Sequence, residues 1–137
     1  MRRTFLALML GAGLIGTTVP VVAHHAFAAE FDRDKPVSLE GTVTLMEWIN
    51  PHAWLHFDVK EPDGKVSNWA VELGAPNALI RRGFDRESVP IGTKIVVKGF
   101  EAKDGGFRAN GSSITFSDGR KMFVGSPGTG APEDKFQ

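Results

Sequence analysis

The stretch GTVTLMEWINPHAWLHFDV, residues 41–59, decides how this chain folds. Val43 and Leu45 alternate with Thr42 and Thr44, and Ala53, Leu55, Phe57 and Val59 alternate with His52, Trp54, His56 and Asp58. A period of two is the signature of a strand with one face buried and the other available. The stretch therefore predicts two strands joined by a tight Asn50-Pro51 corner. The available face of the second strand carries two histidines, a tryptophan and a carboxylate, an unusual load for a face turned to water. That face and its corner are the first place to look for function.

Working outward, the first strand spans Val37 to Ile49 and is long enough to bend, with Gly41 as the expected coil or bulge. The second spans Ala53 to Lys60. Glu61-Pro62-Asp63-Gly64 is a turn signal, because proline presets φ and Asp-Gly supplies a positive-φ position. Val66 to Leu73 is then a third strand with Trp69, Val71 and Leu73 on its core face. From Gly74 to Gly83 the period changes. Pro76 suits the first position of a short helix, Arg81 and Arg82 complement its C-terminal dipole, and Gly83 suits its C′ position. Thr93 to Glu101 and Phe107 to Phe116 are two more strands, and Asp118-Gly119 starts a last small hairpin with Lys121 to Val124. Three meandering strands, a helix and two further strands predict a mostly β protein, a small OB-like five-stranded barrel closed by its bent first strand. An open β-sandwich is the alternative.

The amino terminus reads as an address. Residues 1–23 combine Arg2 and Arg3, an apolar run from Phe5 to Ile15, and Val21-Val22-Ala23 as a cleavage region, the pattern of a removable signal peptide. The apolar run is too short and glycine-rich for a secure membrane span. Arg2-Arg3 also matches the start of a twin-arginine signal, although so short a basic region fits the general secretory route better. Residues 24–36 form an arm in which Phe27 and Phe31 suit either a helical turn or an extended segment, ended by a polar turn from Asp32 to Pro36. Residues 37–124 are the β domain and 125–137, rich in Gly and Pro, a loose tail.

Removal of residues 1–23 from the 137 leaves 137 − 23 = 114, one small domain. The whole chain has 16 basic and 16 acidic residues, so loss of Arg2 and Arg3 leaves 14 against 16, a charge of −2. A nucleic-acid partner is not expected, since neutralising phosphates takes a basic surface. The chain contains no cysteine, so stability must come from packing. The expected location is the periplasm, or secretion beyond it, with no membrane span once the signal is removed.

The chain resembles a family of small exported proteobacterial proteins that carry a domain of unknown function. The resemblance rests on HHAFAAEFD at residues 24–32, on Glu47-Trp48 with Asn50-Pro51-His52-Ala53-Trp54, and on Glu72-Leu73-Gly74 with Pro76-Asn77-Ala78-Leu79. Arg81-Arg82-Gly83 and Asp118-Gly119-Arg120-Lys121 complete it. Two positions depart from the pattern. Ala75 stands where serine is usual, removing a helix-capping hydroxyl, and Phe84 stands in place of tryptophan. The resemblance implies export and supports the fold; it brings no activity with it.

Chemistry is concentrated in the histidines and tryptophans. Trp48, Asn50, His52 and Trp54 frame the corner and form the expected ligand-binding surface of a non-enzymatic module, the ligand being small or an envelope protein. Trp69 belongs to the core. The alternative is copper. Cleavage after Ala23 would give His24 a free α-amine beside its imidazole, a chelating pair for Cu(II), with His25 and His52 as further donors. His52 and His56, four strand residues apart, are about 13 Å from each other and cannot share a metal. A catalytic role has the least support: no Gly-x-Ser-x-Gly elbow, phosphate loop or HExxH occurs. Glu47, Asp58 and Glu72 are expected to be strand-face carboxylates facing Arg81, Arg82 or lysines.

Overall fold

A computed structural model describes residues 27–126 and Pro132. The signal region, His24, His25 and most of the tail lie outside the described residues. Six strands form one sheet: β1 (Phe31–Glu47), β2 (Trp54–Lys60), β3 (Val66–Glu72), β4 (Lys94–Ala102), β5 (Arg108–Phe116) and β6 (Lys121–Phe123). A short helix, α1 (Pro76–Arg81), lies between β3 and β4. Strand order is β3-β2-β1-β4-β5-β6, and a parallel pairing of β3 with β5 closes five of the strands into a ring. That pairing distinguishes the fold from an open sandwich. Among the described residues no helix is long and apolar enough to cross a membrane.

The long first strand makes the ring possible. Residues of β1 from Phe31 to Thr42 pair with β4, and those from Gly41 to Glu47 pair with β2, so Gly41 and Thr42 serve both neighbours. The bulge expected at Gly41 lies further on, where the register with β2 shifts between Val43 and Leu45. One unpaired residue moves every later side chain to the opposite face. Leu45, expected inside, is 46% exposed, and Met46 is buried in its place. The polar turn expected from Asp32 to Pro36 is also part of β1, and the irregularity there appears as a register shift against β4.

The strands of the meander alternate as predicted. Ala53, Leu55, Phe57 and Val59 from β2 and its approach pack with Trp69, Val71 and Leu73 from β3 and its end in the main core. The indole nitrogen of Trp69 donates to Glu61 at 3.3 Å, so its one polar atom is satisfied. Helix α1 is shorter than expected. Its N-cap, Ala75, makes no side-chain cap bond, in keeping with the missing hydroxyl. Its end is closed by two amide bonds, from Gly83 (φ +79°) to the Ile80 carbonyl and from Phe84 to the Leu79 carbonyl. This is the Schellman arrangement, and the buried Leu79 and Phe84 side chains accompany it in the core.

The arm takes both of the conformations open to it. Residues 27–30 are helical and Phe31 begins β1. Phe27 and Phe31 are buried against Phe100 and Ala102 in a second small core separate from the main one. Lys103 holds the turn in place through its amide to the Glu30 carbonyl, 2.9 Å, and through its ammonium to the Ala28 carbonyl.

Candidate functional site

The outer face of β2 presents Trp54, His56 and Asp58, with His52 just before it, all half-buried. Which groups meet them follows from the register. The β2–β3 turn places Lys60 opposite Val66, and counting back puts Glu72 opposite Trp54. On the other side Glu47 of β1 is opposite Trp54, and beyond β3 Asn110 of β5 is opposite Glu72. Glu47, Trp54, Glu72 and Asn110 therefore form one row across four strands.

Two histidine–carboxyl pairs flank the indole. His56 Nε2 lies 2.9 Å from Glu47 Oε2, and His52 Nδ1 lies 3.1 Å from Glu72 Oε1. Asp58 accepts from the Asn68 amide at 2.8 Å, and the same amide reaches Thr44 Oγ1 at 3.1 Å. The carboxylates expected to face arginines or lysines face histidines and amides instead. Arg82 turns away, donating to the Gly125 carbonyl at 2.7 Å and lying over the Phe123 ring.

Glu72 is the most perturbed acid of the site. Its side chain is only 12% exposed, and burial, with a smaller push from the Glu30 carboxylate, raises its pKa from 4.5 to about 7. The Asn110 amide, 3.3 Å away, and the Arg108 guanidinium act in the opposite sense without cancelling this. Burial also lowers the pKa of His52, against a weaker upward pull from Glu30. Both shifts favour the uncharged forms: burial holds the Glu72 carboxyl towards its protonated state and the His52 imidazole towards its neutral state. Asn110 suits this. Its Nδ2 donates to a carboxylate, while its buried Oδ1 has no partner among the described residues and would accept from a protonated acid if the amide were turned over.

The structure places the four corner residues in three settings. Trp48 is packed against the main core and stacked on Phe84, with ring centroids 6.4 Å apart, so it covers the ring. Asn50 is exposed at the corner, whose Asn50–Pro51 peptide bond is cis. His52 and Trp54 belong to the β2 face. His52 and His56 engage separate carboxylates, and among the described residues no three His, Cys, Asp or Glu side chains group so as to hold a metal. Sequence reasoning missed Glu30, Arg108 and Asn110. Arg108 bridges Glu30 at 3.7 Å and Asp104 at 3.1 Å, and Glu30 reaches the site only because the arm docks beside β5. The pairing of Glu72 with Trp54 could have been counted from the hairpin turn; the β3–β5 pairing has no local signal.

No curated protein and no solved structure matches the chain. A family model matches residues 12–112, which span the arm, the corner, β2, β3 and the first part of β5. The chain belongs to the family of unknown function DUF6152.

Proposed function

We propose that the protein is a non-enzymatic binding module of the periplasm that takes its ligand or envelope partner on the outer face of β2, through His52 and Trp54. The supporting observation is the row Glu47–Trp54–Glu72, in which a half-exposed indole sits between two histidine–carboxyl pairs. These groups can stack, donate and accept without any nucleophile or metal being required. Asn50 marks the rim of this surface and Trp48 supports it from the core side.

A photo-crosslinking amino acid at exposed position 50, irradiated in an envelope extract, tests the reading. A defined adduct is expected with the parent protein and is expected to vanish in Trp54→Ala and His52→Ala variants that keep the parent circular dichroism. Unfolding of both variants, or an adduct indifferent to them, contradicts the reading.

A second reading is copper binding at the mature amino terminus by the α-amine and imidazole of His24, with His25 and His52 as further donors. The position of the arm favours it: Glu30, six residues after His24, acts electrostatically on both His52 and Glu72. The amine must lose its proton to coordinate, so Cu(II) affinity should strengthen as pH rises towards about 8. An extra N-terminal Met should weaken it and change the Cu(II) spectrum. Equal affinity and spectra for the two forms would refute this.

A further inference from the structure

The outer face of the β1–β2–β3 meander carries a continuous polar strip beyond the Trp54 row. Next to that row lie His56 and Ala70, paired across β2 and β3, and next to them Asp58 and Asn68. Thr44 joins through its bond to Asn68. Ala70 is the one small side chain in the middle, so the strip is low beside the indole and the imidazole. At its far end the surface is hollowed between Thr42, Asp58, Lys60 and Lys94. From Trp54 to Lys60 is six strand steps, about 20 Å. The site is thus long and open, with one half-exposed indole and a row of hydrogen-bonding groups that keep partial access to solvent.

This combination restricts the ligand. An open face with a single indole holds a flat, repeated unit better than a small isolated cation, which calls for an enclosed aromatic cage. Nucleic acid would offer flat units too, but Glu47 lies opposite the indole and Asp58 further along the same strand face, with Lys60 and Lys94 only at the far end, so no continuous basic track meets its phosphates. An apolar peptide would strip water from the carboxyl, imidazole and amide groups and offer their remaining donors and acceptors nothing in return. A sugar chain satisfies them. Its ring faces carry C–H groups for stacking, and its hydroxyls both donate to carboxylates and accept from amide and imidazole N–H groups. Five-stranded rings of this connectivity use the face of strands 2 and 3 for oligonucleotides and oligosaccharides, and here the charge selects between them.

We infer that the β1–β2–β3 face binds an uncharged oligosaccharide chain, with one ring stacked on Trp54 and neighbouring hydroxyls bonded to Glu47, His56, Asp58 and Asn68. This inference rests on the binding-module reading and names its ligand class.

Titration calorimetry with two soluble probes, the β-1,4-linked hexamers of N-acetylglucosamine and of glucose, tests it in the presence of a metal chelator. At least one hexamer should bind, with a dimer of the same sugar weaker by about tenfold, because the strip is longer than two rings. Trp54→Ala should weaken binding by about tenfold or more, in line with the loss of one stacking contact. Trp54→Phe, which retains a ring, should lie between, so the result does not depend on the alanine variant folding. Asn68→Ala, on exposed positions of β3, should weaken it independently. Failure of both hexamers to bind at millimolar concentration overturns the inference, as does binding unchanged by the Trp54 and Asn68 substitutions. The binding-module reading is tested separately by the crosslink at position 50, and it stands if the adduct forms and depends on Trp54 and His52 while neither hexamer binds.

Discussion

Gly41→Ala is expected to destabilise the protein by about 3 kcal/mol and to lower its thermal midpoint by roughly 15 °C, the scale of overpacking in a rigid core. Gly41 lies where β1 leaves β4 for β2 and is paired on both sides, to Val59 and to Ile95. A Cβ there would run into the Asp58 carbonyl oxygen and stand 2.6 Å from a ring carbon of Phe57. The first neighbour is backbone held in the sheet, and the second is a fully buried side chain. Neither can yield without moving the β1–β2 pair apart. Gly64 is the proper comparison. It has φ +86° and open space around it, so Gly64→Ala meets backbone strain alone and should cost about 1 kcal/mol. Thermal unfolding of the two variants side by side decides the matter; equal midpoints would show that the crossing at Gly41 can relax.

Glu72→Gln is expected to stabilise the protein at pH 8 and to change little at pH 5. The folded pKa of Glu72 is raised from 4.5 to about 7, so its contribution is fully present below 4.5 and is lost as pH climbs through 7. A shift of this size corresponds to roughly 2 kcal/mol once partial solvent access is allowed for. Glutamine keeps the shape of the neutral acid and cannot ionise, so the slope should disappear. The groups facing the carboxyl are His52 from the corner, Asn110 and Arg108 from β5 and Glu30 from the arm. His52 slopes the other way: its lowered pKa gives stability that is present above 6.5 and declines as pH falls. Unfolding curves from pH 5 to 8 for parent and variant should therefore diverge on the alkaline side. If Glu72→Gln instead loses stability at pH 8, the pair is an imidazolium–carboxylate ion pair and the neutral assignment is wrong.

Both effects come from positions whose residue type is plain in the chain and whose consequences are not. The alternation of Ala53 to Val59, the Pro-Asp-Gly turn, the helix bounded by Pro76 and Gly83, and the number and order of strands were all legible, because they depend on side-chain period and on backbone preferences over a few residues. The bulge after Val43 was not. Thr44 and Leu45 continue the alternation perfectly, yet the register with β2 shifts between Val43 and Leu45, just past the residues that pair on both sides, and Leu45 turns out and Met46 in.

The candidate site divides in the same way. His52, Trp54 and His56 on one strand face could be read directly, and Glu72 could be counted from the hairpin. That Trp48 belongs to the core and stacks on Phe84 could not, since an aromatic near a corner gives no sign of which way it turns. The remaining partners arrive from far along the chain. Asn110 is 38 residues from Glu72, and it comes alongside only through the parallel β3–β5 closure, while Glu30 comes through the docking of Phe27 and Phe31 on Phe100. The chain alone determined a small, mostly β domain with a loaded strand face. The tertiary structure decided how the strands close and that Glu72 is held above the usual carboxylate range and His52 below its own, because burial and through-space neighbours set a pKa and neither is a local property of sequence.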